Sequence, residues 1–400
     1  MRSRSSCSAG WALSAVVANV ANAQPPTFET ALAHTASVSQ WNVKGISSNG
    51  SVVFGTFHFP ADEQIHAGAW SGNTVSPLPA PFPGSPSTAL GMSSDGQTFL
   101  ASQGGPFLWR LATGPVLLNS FPEAQVLATA STISADGATL LGTYSQISPY
   151  RAWTWTAASG VHFLPDLPGG TLGSQLPIIS ADGQVIFGRG SSVTDLPLIA
   201  WRGEQLPTLV AGSQFWGTPV ASSSDGAVVV ANFSGAWRIR DGIRQSLVGG
   251  PASVLSVVTA MSNDGFRVVG RSGLDAAMWD PLNGVRRLAD VLNLSGVPVG
   301  SWALSAPIIS GDGTMIAGIA SDRDSALVAI YRIHLPIASC YPNCDKGDTF
   351  PALNVNDFIC FLNKFAAGDP YANCDGSTAP PVLSANDFQC FLNSFGRGCT

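Results

Sequence analysis

Charge is scarce in this chain. Asp, Glu, Lys and Arg make up 11% of 400 residues, against the usual quarter or so. Lysine is nearly absent, at Lys44, Lys346 and Lys364 alone, and the net charge of -6 is unclustered. No basic patch is available for phosphate contacts, which excludes nucleic acid as a partner. Cysteine is missing from the roughly three hundred residues between Cys7 and Cys340. Beyond the N-terminus no segment reaches the ~18 apolar residues of a membrane span. There is no HExxH, G-x-S-x-G, P-loop or dinucleotide fingerprint, and His34, His58, His66, His162 and His334 share no spacing. These absences speak against a motif-bearing enzyme. A site assembled from several loops would leave no such trace.

What is present begins with an export signal. Arg2 and Arg4 precede a short apolar core, Ala9 to Ala18, and Ala21–Ala23 fits the small-x-small cleavage rule, so residues 1–23 read as a signal peptide. Six cysteines crowd between Cys340 and Cys399, and in an exported chain they imply a disulfide framework. The predicted location is therefore secreted or cell-surface associated, with no membrane span after cleavage.

The middle of the chain is one unit written seven times. Ser-x-Asp/Asn-Gly recurs with its glycine at Gly50, Gly96, Gly137, Gly183, Gly226, Gly265 and Gly313, at spacings of 39 to 48 residues. That period suits propeller-type repeats. Asp-Gly between apolar runs signals a hairpin, because both turn residues must tolerate positive φ. Each turn leads into a β-branched or apolar run. A third strand then carries an aromatic: Trp70, Trp109, Trp153 or Trp155, Trp201, Trp237, Trp279 and Tyr331. A Gly turn and a fourth strand ("GNTVSPLP", "GVHFLP", "GEQLP", "GVRRLAD") close most units. The seventh lacks its fourth strand, while "TFETALA" at Thr27–Ala33 is a spare one. If it fills the gap, the ring closes and no edge is left open. A solenoid or sandwich pair is the competing fold. The recurring aspartates are expected to hold turns rather than ligate, and the tryptophans to wedge between blades rather than stack on sugars.

This unit resembles the HAF-type extracellular repeats of exported bacterial proteins, which share Ile-Ser-x-Asp-Gly, an apolar strand ending in Gly and an Ala-aromatic-Trp strand. Residues 133–171 are the best copy, and the likeness covers about 37–335. It implies an exported propeller and no enzyme activity.

The last sixty residues follow another rule. Shifted by 30, Asn343 superposes on Asn373, Cys344 on Cys374, Asp345 on Asp375, Asn354 on Ser384, Asp357 on Asp387, Phe358 on Phe388, Cys360 on Cys390 and Phe361 on Phe391. Phe358, Phe361, Leu362 and Phe365 form an i, i+3, i+4, i+7 helical stripe, repeated at Phe388, Phe391, Leu392 and Phe395. Asp357 and Asp387 stand where a carboxylate caps a helix, and Gly368 and Gly396 or Gly398 where helices end. Cys340 and Cys399 flank the duplication and pair in the symmetric solution. The other four pair within copies (Cys344–Cys360, Cys374–Cys390) or across them, with the first preferred. Zinc is a lesser alternative in an oxidising setting.

The loops before these helices offer oxygen ligands: Asp345, Asp348, Asn354 and Asp357 in the first copy, and Asn373, Asp375, Ser377, Ser384 and Asp387 in the second. Residues 372–399 resemble the dockerin-like tails of planctomycete exported proteins, and more distantly the duplicated calcium loop-helix of dockerins. The resemblance implies Ca2+ as cofactor and a cohesin-like or envelope scaffold protein as partner, met by Phe358, Phe361, Phe388 and Phe391. Pro-rich inserts replace the usual loop glycine, and carboxylates are few.

The expected organisation is mainly β: a signal peptide (1–23), a seven-bladed β-propeller (24–336) and a small α, disulfide-rich dockerin-like module (337–400). The expected function is non-catalytic binding or presentation of a glycan or protein ligand on the propeller face, tethered through the tail. The alternative is an exported hydrolase or lyase acting on polysaccharide.

Overall fold

The computed structural model describes residues 26–34, 41–59, 63–79, 81, 85–146, 148–192, 195–203, 205–210, 216–248, 254–281, 283–335, 342–345, 353–375, 377 and 380–397. The signal segment lies outside them.

Seven four-stranded antiparallel sheets form a β-propeller. Blades one to six span 42–77, 88–117, 130–163, 175–209, 218–246 and 257–287. The seventh combines 302–334 with the N-terminal strand Thr27–His34, which pairs antiparallel with Val328–His334. The spare strand therefore supplies the missing edge. The solenoid is excluded, because the first strand of blade one touches those of both blade two and blade seven. The first strand of each blade is innermost and the fourth outermost. In blade four the fourth strand is only Thr208–Leu209; "GEQLP", expected there, precedes it.

The Ser-x-Asp-Gly turns are built alike. In blade three, Ser134 Oγ donates to Asp136 Oδ1, which also accepts the Ala138 amide at 2.9 Å, and Ser134 Oγ accepts the Thr139 amide at 2.9 Å. Blade one does the same with Asn49 in place of aspartate. The glycine amide returns to the serine carbonyl, and the glycine takes positive φ, +72° at Gly137, which a Cβ would disfavour. The turns also bond across blades: the Ser48 amide to Ser94 O, Ser94 to Ala135 O, Asp182 to Ser224 O, Ser224 to Asn263 O, Asn263 to Gly311 O and Asp312 to Ser48 O, at 2.7–3.0 Å. A belt of turns thus stitches most of the ring.

Each innermost strand carries a bulge against the second strand. A bulge leaves ladder groups unpaired, and side chains from the preceding blade satisfy some of them. Thr56 Oγ1 accepts the Ala89 amide and Thr143 Oγ1 that of Leu176, both at 2.9 Å, while Asn232 exchanges two bonds with Val258.

The aromatics all stand on third strands, at two register positions. Trp70, Trp109, Trp155, Trp201 and Trp279 pair with Val53, Phe99, Leu140, Ile186 and Val268, the third residue after each turn glycine. Trp153, Trp237 and Tyr331 sit two residues nearer the strand start, opposite Gly142, Ala231 and Gly318. Blade three uses both positions. The small partner is a steric requirement: a Cβ on Gly142 would lie 2.6 Å from the Trp153 ring, and one on Gly318 2.6 Å from the Tyr331 hydroxyl. Trp70, Trp153, Trp155, Trp201, Trp279 and Tyr331 are buried, and their apolar clusters join residues of neighbouring blades, as Trp70 packs with Ile319 and Val328. They are core, not sugar platforms.

A four-residue helix, α1 (Ala124–Leu127), lies between blades two and three, and α2 (Leu288–Leu294) between blades six and seven. The C-terminal region holds α3 (Val355–Ala366) and α4 (Ala385–Arg397). Gly368 follows α3 at φ +71°, whereas Gly396 lies inside α4, and Gly398 lies outside the described residues. No helix among the described residues is long and apolar enough to cross a membrane.

Candidate functional site

The residues with the most site-like arrangement belong to the C-terminal loop-helix pair. Its frame comes from the phenylalanine stripes. Phe361 and Phe391 stack with ring centroids 4.1 Å apart and 16° between planes, and Phe358 meets Phe388 edge-on at 5.5 Å. Phe361 and Phe391 are 0% exposed. They occupy the module's core, so neither is available to a partner; Phe358 and Phe388 are half-buried against it. For Phe361 and Phe391 the expected partner contact gives way to internal packing, because neither short helix can bury its stripe alone.

Disulfides pin each loop to its helix. Cys344 joins Cys360 and Cys374 joins Cys390, each across 16 residues. This is the within-copy pairing. Each closure contributes about 3 kcal/mol on the chain-entropy view. Cys340 and Cys399 lie outside the described residues.

The two loops are then organised by one carboxylate each. Asp357 is fully buried; its Oδ1 accepts the Asp345 amide at 3.2 Å and its Oδ2 the Asn354 amide at 2.9 Å. Asn354 caps α3 by accepting the Asn356 amide, completing a capping box. The second copy repeats this: Asp387 accepts from Asp375 at 3.1 Å and Ser384 at 2.8 Å. Ser377 joins the cluster, its amide donating to Asp375 Oδ1 and its hydroxyl to Val382 O. Asn373 Nδ2 donates to Ser377 O, while its Oδ1 is buried with no hydrogen-bond partner among the described residues.

In both copies a second carboxyl group lies within hydrogen-bonding reach of the first, Asp345 beside Asp357 and Asp375 beside Asp387. Burial, and then the neighbouring Asp345 group, push the Asp357 carboxyl above its usual range. Burial works the same way on Asp387, but the amides of Ser384 and Asp375, a hydrogen bond from the Asp375 side chain and the Cys374 amide outweigh it and hold that carboxyl low. Two facing carboxylates repel unless a proton or a cation lies between them. In the second copy Asp375, Asp387 and the orphaned Asn373 oxygen are all oxygen donors, the chemistry a hard cation prefers. The first copy shows Asp345, Asn354 and Asp357; Asp348 lies outside the described residues. No group of three His, Cys, Asp or Glu side chains gathers among those described.

The feature the sequence reading missed is on the outer face of α3. Val355, Ile359 and Leu362, at i, i+4 and i+7, are 67%, 48% and 39% exposed. The equivalent α4 positions are Ala385, Gln389 and Leu392. Leu362 and Leu392, expected in the inner stripes, lie on this outer face at 39% and 38% exposed; duplication kept that leucine but replaced Val355 and Ile359 by Ala385 and Gln389.

No protein-family profile matches the chain, and no curated protein does. Solved structures share the propeller fold. An oligogalacturonate lyase from Vibrio parahaemolyticus is 12% identical with a TM-score of 0.50, over 78% of this chain and 98% of that one. The β-propeller domain of the Trilobed protease from Pyrococcus furiosus is 9% identical with a TM-score of 0.50, over 74% and 94%. TolB from Acinetobacter baumannii is 13% identical with a TM-score of 0.42, over 72% of this chain and 64% of its own length. At such identities the likeness is one of fold. The Pyrococcus domain is described as having an open velcro topology; here the N-terminal strand lies in the last blade.

Proposed function

We propose that this chain is an exported, non-catalytic binding protein. A propeller of HAF-type repeats (24–336) presents a ligand-binding face, and a dockerin-like module (337–400) tethers it to a cohesin-like or other envelope scaffold protein. The signal peptide would be residues 1–23. The observation that carries the tether is the Val355–Ile359–Leu362 stripe. It is a three-residue apolar strip on a helix whose other apolar face is already buried, and its duplicate on α4 is polar at the centre. Helix-in-groove recognition uses such i, i+4, i+7 anchors.

Calcium is the cation this reading assigns to the loops. Asp375, Asp387 and the Asn373 carbonyl oxygen would hold it in the second copy, with Ser377 and Ser384 adjoining. Asp345, Asp348, Asn354 and Asp357 would serve in the first. The ion would relieve the repulsion within each carboxylate pair and hold the loop against its helix.

The test is fractionation of the producing cells. The full chain should sediment with the envelope and be released by EDTA, while a chain ending at residue 336, or one carrying Ile359→Asp, should appear in the soluble fraction. Equal distribution of all three would overturn the tether. Assaying the same material for polysaccharide depolymerisation tests the other half, since the propeller fold also carries a lyase. Sustained turnover would replace binding by catalysis.

A further inference from the structure

The propeller face opposite the Ser-x-Asp-Gly turns carries the connections between blades and the loops between second and third strands. At the seam of blades six and seven these connections line an open cavity of about 280 Å³. One wall belongs to blade six: Asp275 opens its third strand, Arg287 closes its fourth, and α2 adds Asp290 and Asn293. The facing wall belongs to blade seven, with Trp302 at the start of the innermost strand and Arg323 just past the second.

The charges in this cavity are not equivalent. Arg287 Nε is 3.3 Å from Asp275 Oδ2, so those two largely cancel. Arg323 makes no ion pair among the described residues; its backbone amide donates to Ser301 O at 3.1 Å, which fixes the residue at the rim. Asp290 and Asn293 project from α2 with no side-chain partner among the described residues, and both are exposed. Trp302 is half-buried: one part packs on the core of blades six and seven, and the indole lines the cavity. The site therefore has an aromatic surface, an amide, an acceptor and one uncommitted guanidinium, in a space suited to one small ring.

We propose that this cavity receives a single carboxylated sugar unit, a uronate, with Trp302 against the sugar ring, Arg323 on the carboxylate, and Asp290 and Asn293 on the hydroxyls. Guanidinium binds carboxylate in a two-pronged, planar geometry that a neutral sugar cannot use. A free amino acid fits less well. It carries both charges on one carbon, whereas Asp290 and Arg323 stand on opposite walls; the substituents of a pyranose radiate to both. Trp302 stands at the start of an innermost strand and not on a third strand, so it lies outside the recurring set of tryptophans.

The proposal rests on the binding reading of the propeller and not on the tail. It is tested by calorimetric titration of the full chain with D-galacturonate and D-glucuronate, with D-galactose and glutamine as controls. At least one uronate should bind saturably, galactose and glutamine much more weakly. Arg323→Gln should weaken uronate binding by about tenfold or more and leave the melting temperature unchanged, because the side chain is exposed. Asn293→Ala should weaken it less, and Arg202→Gln, in the cavity on the other face between blades four and five, not at all. No saturable uronate binding, equal binding of galactose, a preference for glutamine, or an Arg323→Gln protein indistinguishable from the parent would each overturn it. Loss of envelope fractionation would leave it standing, and absence of uronate binding would leave the tether standing.

Discussion

The guanidinium of Arg332 lies 3.9 Å over the ring of Trp70, so the third strand of the last blade grips the third strand of the first. The same guanidinium donates to Glu29 Oε2 at 2.7 Å, on the N-terminal strand, and to Gly72 O at 3.0 Å, in the first blade. One side chain, 11% exposed, thus joins all three segments at the ring closure.

Arg332→Ala should therefore destabilise the propeller by about 1–3 kcal/mol, combining a partly desolvated cation–π contact with charge-assisted hydrogen bonds. Arg332→Lys should recover only part, since an ammonium lacks the planar fork. Urea unfolding at unchanged m-value measures this. A shift below roughly 0.5 kcal/mol for the alanine variant, the range of ordinary surface changes, would mean the closure is carried by strand pairing alone.

The turn aspartates give the propeller an acid limit. Hydrogen bonds from Ser134 and the Ala138 amide hold the Asp136 carboxyl below its usual range, and those from Ser223 and the Ala227 amide do so for Asp225. A carboxylate with a depressed folded pKa stabilises the fold above its unfolded value near 3.9, and that contribution is lost as pH falls through the folded value. Melting temperature should hold from neutrality to about pH 5 and fall below about pH 4. Asn49 already serves blade one without a charge. Asp136→Asn combined with Asp225→Asn should therefore fold normally at pH 7 and lose less stability than the parent between pH 5 and pH 3. An identical slope would show that these carboxylates are not the titrating groups.

Gly142 tests the pairing of small and aromatic residues. A Cβ there would come within 2.4 Å of Thr129 O as well as 2.6 Å of Trp153, and backbone cannot move aside cheaply. Gly142→Ala should cost about 1–3 kcal/mol, as overpacking does. Gly105→Ala, where a Cβ meets nothing within 4 Å, is the near-neutral control.

Much of this architecture was legible because a repeat writes it seven times. The turn glycines counted the blades, and the strand missing after Tyr331 together with the spare one at Thr27 told how the ring closes. The seams between blades were not legible. Thr56 and Thr143 look like ordinary strand threonines until the fold places them on the amides of Ala89 and Leu176 in the next blade, because a bulge partner is set by rotation about the ring and not by sequence distance. The tail divides the same way. Its 30-residue shift located the stripes, caps and loop carboxylates, but not that Phe361 and Phe391 would meet each other. The cavity of Trp302 and Arg323 had no motif, since its residues come from connections that differ from blade to blade.

The loop oxygens of the tail support the last prediction. The Cys344–Cys360 and Cys374–Cys390 bridges and the Phe361–Phe391 stack hold the helices without help, so metal removal should loosen the loops and leave the module folded. Calcium should bind the full chain with measurable heat and slow proteolysis within residues 342–397. The gain follows ligand linkage, about 2.7 kcal/mol at a hundredfold excess over Kd. Asp375→Asn and Asp387→Asn should abolish the effect in the second loop. Asp387→Asn should also loosen the α4 cap, since Ser384 and Asp375 would lose a charged acceptor. Asp375→Asn separates the two roles: the Asp375 amide still reaches Asp387, so protection without metal should match the parent while the calcium response of the second loop disappears. Calcium binding that survives both substitutions would assign the ion to the first loop. Absence of any calcium response in the oxidised full chain would leave the paired carboxylates to share a proton instead.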